Sequence, residues 1–162
     1  MRSKFTIKGY LVLLISFTFT VFILYLIPVF FEDSYYNDKI FPRLFIPTLL
    51  IFTFIYLIFG EIRKKLIILG ITKDEFIVKR FLGLKTEIYK ISDIQGWKYS
   101  HLSSKSGTYE YLYIYKNDKK VIKISEFYHK NYSILKSQIL SKTKHLGYEK
   151  FSMIDEFKEI FT

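Results

Sequence analysis

The chain has 162 residues, a formal net charge of +10 and no cysteine. The missing cysteine excludes disulfides, thiolate catalysis and cysteine-based metal sites, and it fits a reducing cytoplasm. Roughly 100 residues lie outside the two apolar segments described next, enough for one small soluble domain and not two.

Residues 10–31 form an almost unbroken apolar run of 22 residues without a charge. As a helix this run crosses a hydrocarbon core of roughly 30 Å. Residues 44–60 form a second run of 17, at the short end for a span, which puts Pro42 and Arg43 near an interface. Two spans this close predict a helical hairpin. Arg2, Lys4 and Lys8 precede the first run, and Arg63, Lys64 and Lys65 follow the second. The connector, 32–43, sets Glu32, Asp33 and Asp38 against Lys39 and Arg43. The positive-inside rule then places both termini in the cytoplasm. No small-x-small cleavage site precedes the connector, so the first run is expected to be retained as a span. Pro28, Pro42 and Pro47 read as helix boundaries and a mild kink. Neither run has an ionisable residue at mid-depth, which argues against a proton relay or ion path. Thr18, Thr20, Thr48 and Thr53 are candidates for helix packing.

After Lys65 the period changes. Residues 66–71, 75–81 and 85–91 read as strands, with turns at 72–74 and at Gly83. A short turn at 92–94 leads to a candidate strand over 95–100, around Trp97 and Tyr99. Residues 101–108 are polar and read as a loop. Residues 109–115 alternate, with Tyr109, Tyr111, Tyr113 and Tyr115 on one face. A turn at 117–119 leads to a strand over 120–125. Short elements joined by tight turns predict an antiparallel sheet. Tyr128, Tyr132, Leu135, Ile139 and Leu146, with Thr143 between, advance by helical steps and predict one helix closing at Gly147. In the tail, Phe151, Ile154, Phe157 and Phe161 recur at three or four, with Asp155, Glu156, Lys158 and Glu159 between them. That short amphipathic segment is expected to pack on the domain. The organisation is a two-span hairpin over 1–65, a mainly-β domain over 66–147 and a tail over 148–162.

Strands followed by one amphipathic helix, behind a two-helix hairpin, resemble the bacterial pleckstrin-homology-like (PH-like) membrane proteins. Residues 71–83, from Ile71-Thr72-Lys73-Asp74 to Phe81-Leu82-Gly83, resemble that family's second-strand region. Ile91-Ser92-Asp93-Ile94 is similar to its step from strand to Asp-Ile. Ser125-Glu126-Phe127-Tyr128-His129-Lys130-Asn131-Tyr132 resembles the helix entry of its small membrane-anchored members. The resemblance implies a bent, partly open antiparallel barrel of seven strands capped by a C-terminal helix. It implies a fold more than an activity.

The region after Gly60 carries 20 basic against 12 acidic residues. Its basic residues gather around turns, and Lys79, Arg80, Lys85, Lys116, Lys119 and Lys120 are candidates to face anionic lipid. Their plainer role is as ordinary solvated charges. Trp97, Tyr99, Tyr109, Tyr111 and Tyr113 are a candidate partner surface, with cross-strand aromatic pairing as the alternative. His101, His129 and His145 have no metal-ligand spacing; the last two fall at the ends of the expected helix, as surface or capping residues. Ser103, Ser104 and Ser106 lack a nucleophile elbow, and Gly107 makes no phosphate loop. These patterns point away from an enzyme, a cofactor, a small-molecule substrate and nucleic acid. The expectation is a non-enzymatic interaction or scaffolding module on the cytoplasmic face of the bacterial inner membrane. It would hold a membrane protein partner or a second copy of itself. Sensing of anionic lipid headgroups is the alternative, and an immunity-like or envelope-stress role is a third.

Overall fold

The computed structural model describes residues 1–105 and 107–160. Helix α1 (Ile7–Glu32) starts at Thr6, whose hydroxyl accepts a hydrogen bond from the Gly9 amide at 3.1 Å. Helix α2 (Ile40–Ile55) continues over Tyr56–Ile62 as a wider π-helical segment, in which the Arg63 amide reaches back five residues to the Ile58 carbonyl. Both α1 and the 40–62 stretch are long and apolar enough to cross a membrane. Only 11% and 17% of their most apolar stretches are buried, so neither is the core helix of a soluble domain. Phe17, Leu24 and Phe41 are about as exposed as side chains in an isolated helix, at 70–72%. Helices apolar all round are suited to burial in a larger apolar core or in a membrane. The Thr20, Thr48 and Thr53 hydroxyls each bond the carbonyl four residues back, so they satisfy their own helix rather than joining two.

Two sheets follow. The first runs in the order β1 (Ile68–Ile71), β2 (Glu75–Arg80), β3 (Lys85–Lys90), all antiparallel. The second joins β4 (Gly96–Ser104), β5 (Gly107–Lys116) and β6 (Lys119–Ser125), with β7 (His145–Tyr148) on the far side of β4. Period-two alternation sends Leu69, Phe76 and Val78 inward from the first sheet, against Leu112, Ile114, Ile122 and Ile124 from the second. Helix α3 (Tyr132–Leu140) closes this core with Tyr132, Leu135 and Ile139. Each such side chain contributes roughly 1.5–3 kcal/mol by leaving water.

The first residues of the chain join the domain. The Ser3 amide donates to the Leu69 carbonyl and the Ile71 amide to the Met1 carbonyl, both at 2.8 Å. Lys130 and Thr6 extend this contact, through the Lys4 and Tyr128 carbonyls. The segment covers the open edge of β1 and satisfies backbone groups that would otherwise be unpaired.

The coarse expectation holds: two apolar helices precede a sheet domain with an open sheet and a C-terminal helix. Three finer expectations change. The 101–108 segment is mostly strand, because β4 and β5 stay paired as far as Ser104 and Gly107; Ser106 lies outside the described residues. The helix expected to end at Gly147 ends at Leu140, and residues 145–148 pair with β4 instead. That pairing is parallel, so the sheet is mixed rather than antiparallel. Gly96 makes it possible, since a Cβ there would stand 2.2 Å from the Lys144 carbonyl oxygen. The tail forms α4 (Met153–Ile160), which meets the sheet domain through Glu156 and α2 through Phe157, whose ring lies 5.9 Å from that of Phe52. Phe161 lies outside the described residues.

Candidate functional site

Two features sit where the helices meet the sheets. The first is a partly buried charge cluster. Lys65 pairs with Glu61 one helical turn back, at 2.7 Å, and with Glu156 of α4 at 3.5 Å. Glu156 also pairs with Lys123 of β6, and Glu61 accepts a hydrogen bond from the Tyr128 hydroxyl. Burial alone would lower the Lys65 pKa, but Glu61 and Glu156 outweigh it and hold the ammonium above the ordinary lysine range. Burial, reinforced by Glu61, raises the Tyr128 phenol. Burial likewise pushes Tyr111 up to about 12. All three groups therefore hold their protons at neutral pH. The cluster stitches helix end, sheet and tail together.

The second feature is an open groove of about 620 Å³ between β2–β3 and the β5–β6 hairpin. Its lining brings Arg63 and Lys64, directly after the second apolar helix, together with Arg80, Lys85, Lys119, Lys120 and Lys123. Glu87 and Asp118 oppose these seven cations along the lining, and Glu149 and Glu156 pair with Lys120 and Lys123. Glu87 is the groove's internal brace. It accepts from Arg80 and Lys85, each at 2.8 Å, and from the Tyr89 hydroxyl. Burial would raise its pKa, but these three donors lower it to about 2, so it stays ionised. Such a surface attracts anions and offers several N–H donors to a phosphate or carboxylate.

Of the candidate lipid-facing residues, Arg80, Lys85, Lys119 and Lys120 meet in this groove. Arg80 lies at its floor, buried, and also bonds the Arg63 and Val121 carbonyls. Lys120 pairs with Glu149 at 2.6 Å. Lys79 is half-buried on β2 outside the lining, and Lys116, also outside it, pairs with Asp93 at 2.8 Å. The strand alternation that predicted the Tyr face says nothing of what covers it. Tyr111, Tyr113 and Tyr115 form a second, smaller core, roofed by the Lys98, Lys120 and Lys123 side chains and by Phe151. Trp97 is buried in the main core. Tyr109 is half-buried beneath Lys8, and Tyr99 stands in an aromatic stack on β4 and β7. The expected partner surface is thus largely internal.

His129 is buried, not a surface cap. Its Nδ1 accepts from the Ser125 amide at 3.3 Å and its Nε2–H donates to the Ile67 carbonyl at 3.1 Å, which fits a neutral ring protonated on Nε2. Arg63 and Lys64 act in the groove although their sequence signal concerned orientation alone. Glu61 and Lys65 carried a legible signal, their i,i+4 spacing; Glu156 carried none. Compared with known proteins, the chain matches no family model, no curated protein and no solved structure.

Proposed function

We propose that this chain is a membrane-anchored, non-enzymatic binding module whose basic groove takes anionic lipid headgroups of the adjoining leaflet. In this reading the helices span the bacterial inner membrane, and both ends of the chain and a PH-like sheet domain lie on the cytoplasmic side. The observation that carries it is the groove itself: seven cations line it, starting directly after the second apolar helix, against Glu87 and Asp118 on the lining and Glu149 and Glu156, which pair with Lys120 and Lys123. An anchored domain already stands at headgroup level. Each basic residue held near an anionic surface then adds up to about 1 kcal/mol. The basic flanks of the hairpin support the same orientation.

Native mass spectrometry of the full chain, released from micelles doped equally with phosphatidylglycerol and phosphatidylcholine, tests this. The wild type should retain phosphatidylglycerol preferentially, and Lys85→Glu with Lys119→Glu should abolish the preference. Equal retention of both lipids by the wild type would exclude headgroup selection.

A second reading is supported by the aromatic stack on β4 and β7. Tyr148, 54% exposed, leans on Tyr99, beside His145 and His101, next to the outer edge of β7. Exposed aromatics beside a strand edge suit a protein partner, which is the scaffolding role. Crosslinking in native membranes should lose such a partner in Tyr148→Ala; an unchanged crosslinking pattern would exclude this surface.

A further inference from the structure

The turn between β2 and β3 has an unusual composition for a tip between two charged strand ends. Phe81, Leu82, Gly83 and Leu84 follow Arg80 and precede Lys85. Phe81, Leu82 and Gly83 all take positive φ, at 48°, 60° and 112°. Bulky residues seldom adopt this conformation, because Cβ crowds the following carbonyl. The backbone thus accepts strain and gains no burial of the leucines: Leu82 is 53% exposed and Leu84 is 93% exposed. In water this arrangement is unfavourable twice over.

The surroundings supply a reason. The Phe81 ring meets that of Phe59 edge-on, with centroids 6.2 Å apart, near the end of the second apolar helix. Leu82 lines a shallow cavity with Tyr10 and Leu13 of α1. Leu13 lies six residues into that helix, about 9 Å along its axis. The tip therefore stands beside the outer turns of both helices, level with the start of the uncharged run at Tyr10. Cations surround it: Arg2, Lys4 and Lys130 on the cavity side, and Lys85 at the base of the turn. An apolar tip ringed by basic side chains matches the boundary between acyl chains and anionic headgroups.

We infer that the β2–β3 turn is a third membrane contact, with Leu82 and Leu84 dipping into the bilayer beside the two spans. The inference rests on reading the helices as spans, and it goes beyond headgroup binding. The contact fixes the tilt of the domain and holds the mouth of the basic groove, whose lining includes Arg80 and Lys85 on either side of the turn, against the headgroups.

The absence of native cysteine gives a clean background for single spin labels on the full chain in phosphatidylglycerol–phosphatidylcholine liposomes. Labels at Leu82→Cys and Leu84→Cys are compared with Phe17→Cys within α1 and Lys119→Cys on the groove. Accessibility to oxygen, relative to a water-soluble nickel chelate, should be several-fold higher at 82 and 84 than at 119, and lower than at 17. If 82 and 84 match 119 while 17 stays oxygen-accessible, the turn lies in water and the inference is wrong, with the span reading intact. If 17 is also nickel-accessible, the span reading fails and the inference with it. Labels at 82 and 84 accessible to neither reagent would mean that protein, such as a second copy, covers the tip, which also overturns it.

Discussion

The Tyr128 hydroxyl donates to the Glu61 carboxylate, joining the entry to α3 to the end of the second apolar helix across 67 residues of sequence. A hydrogen bond to a carboxylate that is also paired with a lysine is of the stronger kind. Together with Lys65 it makes Glu61 the hinge pin between hairpin and sheets. Tyr128→Phe keeps the ring's packing and removes only the donor. It should cost about 1.5–3 kcal/mol, read as a lowered thermal midpoint of the full chain in micelles. An unchanged midpoint would show that the bond contributes nothing to holding the domain on the hairpin.

Glu156 carries the tail. Its carboxylate meets Lys65 and Lys123, and Phe157 rests beside Phe52 of α2. Glu156→Ala leaves Lys123 without this carboxylate and Lys65 with only Glu61. The expected result is release of α4, seen as faster protease cleavage between residues 149 and 153. Lys65 keeps one partner, so the loss of overall stability should stay near 1–3 kcal/mol.

Acid should weaken the domain in two stages with different owners. Burial keeps the His129 pKa below the ordinary 6.5, so the folded ring refuses a proton that the unfolded chain accepts. Its contribution is complete above pH 6.5 and falls as the pH drops below that value. The Glu87 pKa is about 2 in the folded state against an ordinary 4.5. Its contribution is present above 4.5 and is lost as the pH falls toward 2. Thermal midpoints measured against pH should show both limbs. His129→Gln should flatten the upper limb and Glu87→Gln the lower one.

Gly96 is required by packing. A Cβ there would meet the Lys144 carbonyl oxygen at 2.2 Å and Leu146 Cγ at 2.8 Å, so β7 could not close on β4. Gly96→Ala should cost at least about 1–3 kcal/mol. It should also speed hydrogen exchange at the Trp97 and Glu149 amides, which bond the Lys144 and Tyr99 carbonyls across this seam.

Local pattern made most of the architecture legible. The uncharged runs fixed both helices; β-branched and aromatic composition found β2, and alternation found β3, β5 and β6, all within a residue or two. The pattern failed where long-range contact decides the outcome. Leu146 sits at a helical step from Ile139, yet the free edge of β4 offers residues 145–148 a row of backbone partners that outweighs the step. The basic residues were legible as a class, but only folding brings Arg63 and Lys64 opposite Lys119 and Lys120. Tyr111 and Tyr113 show the reverse. Their alternation was plain, while their cover comes from Lys123, Lys120 and the distant Phe151, which no local pattern announces.

The groove is the centre of the functional account, and amide hydrogen exchange of the full chain in nanodiscs tests it most directly. Discs of phosphatidylglycerol are compared with discs of phosphatidylcholine. Exchange over residues 85–87 and 119–123 should slow in phosphatidylglycerol and lose that protection at high salt, while residues 145–148 exchange equally in both. The same exchange at 85–87 and 119–123 in both lipids would contradict an anionic headgroup site.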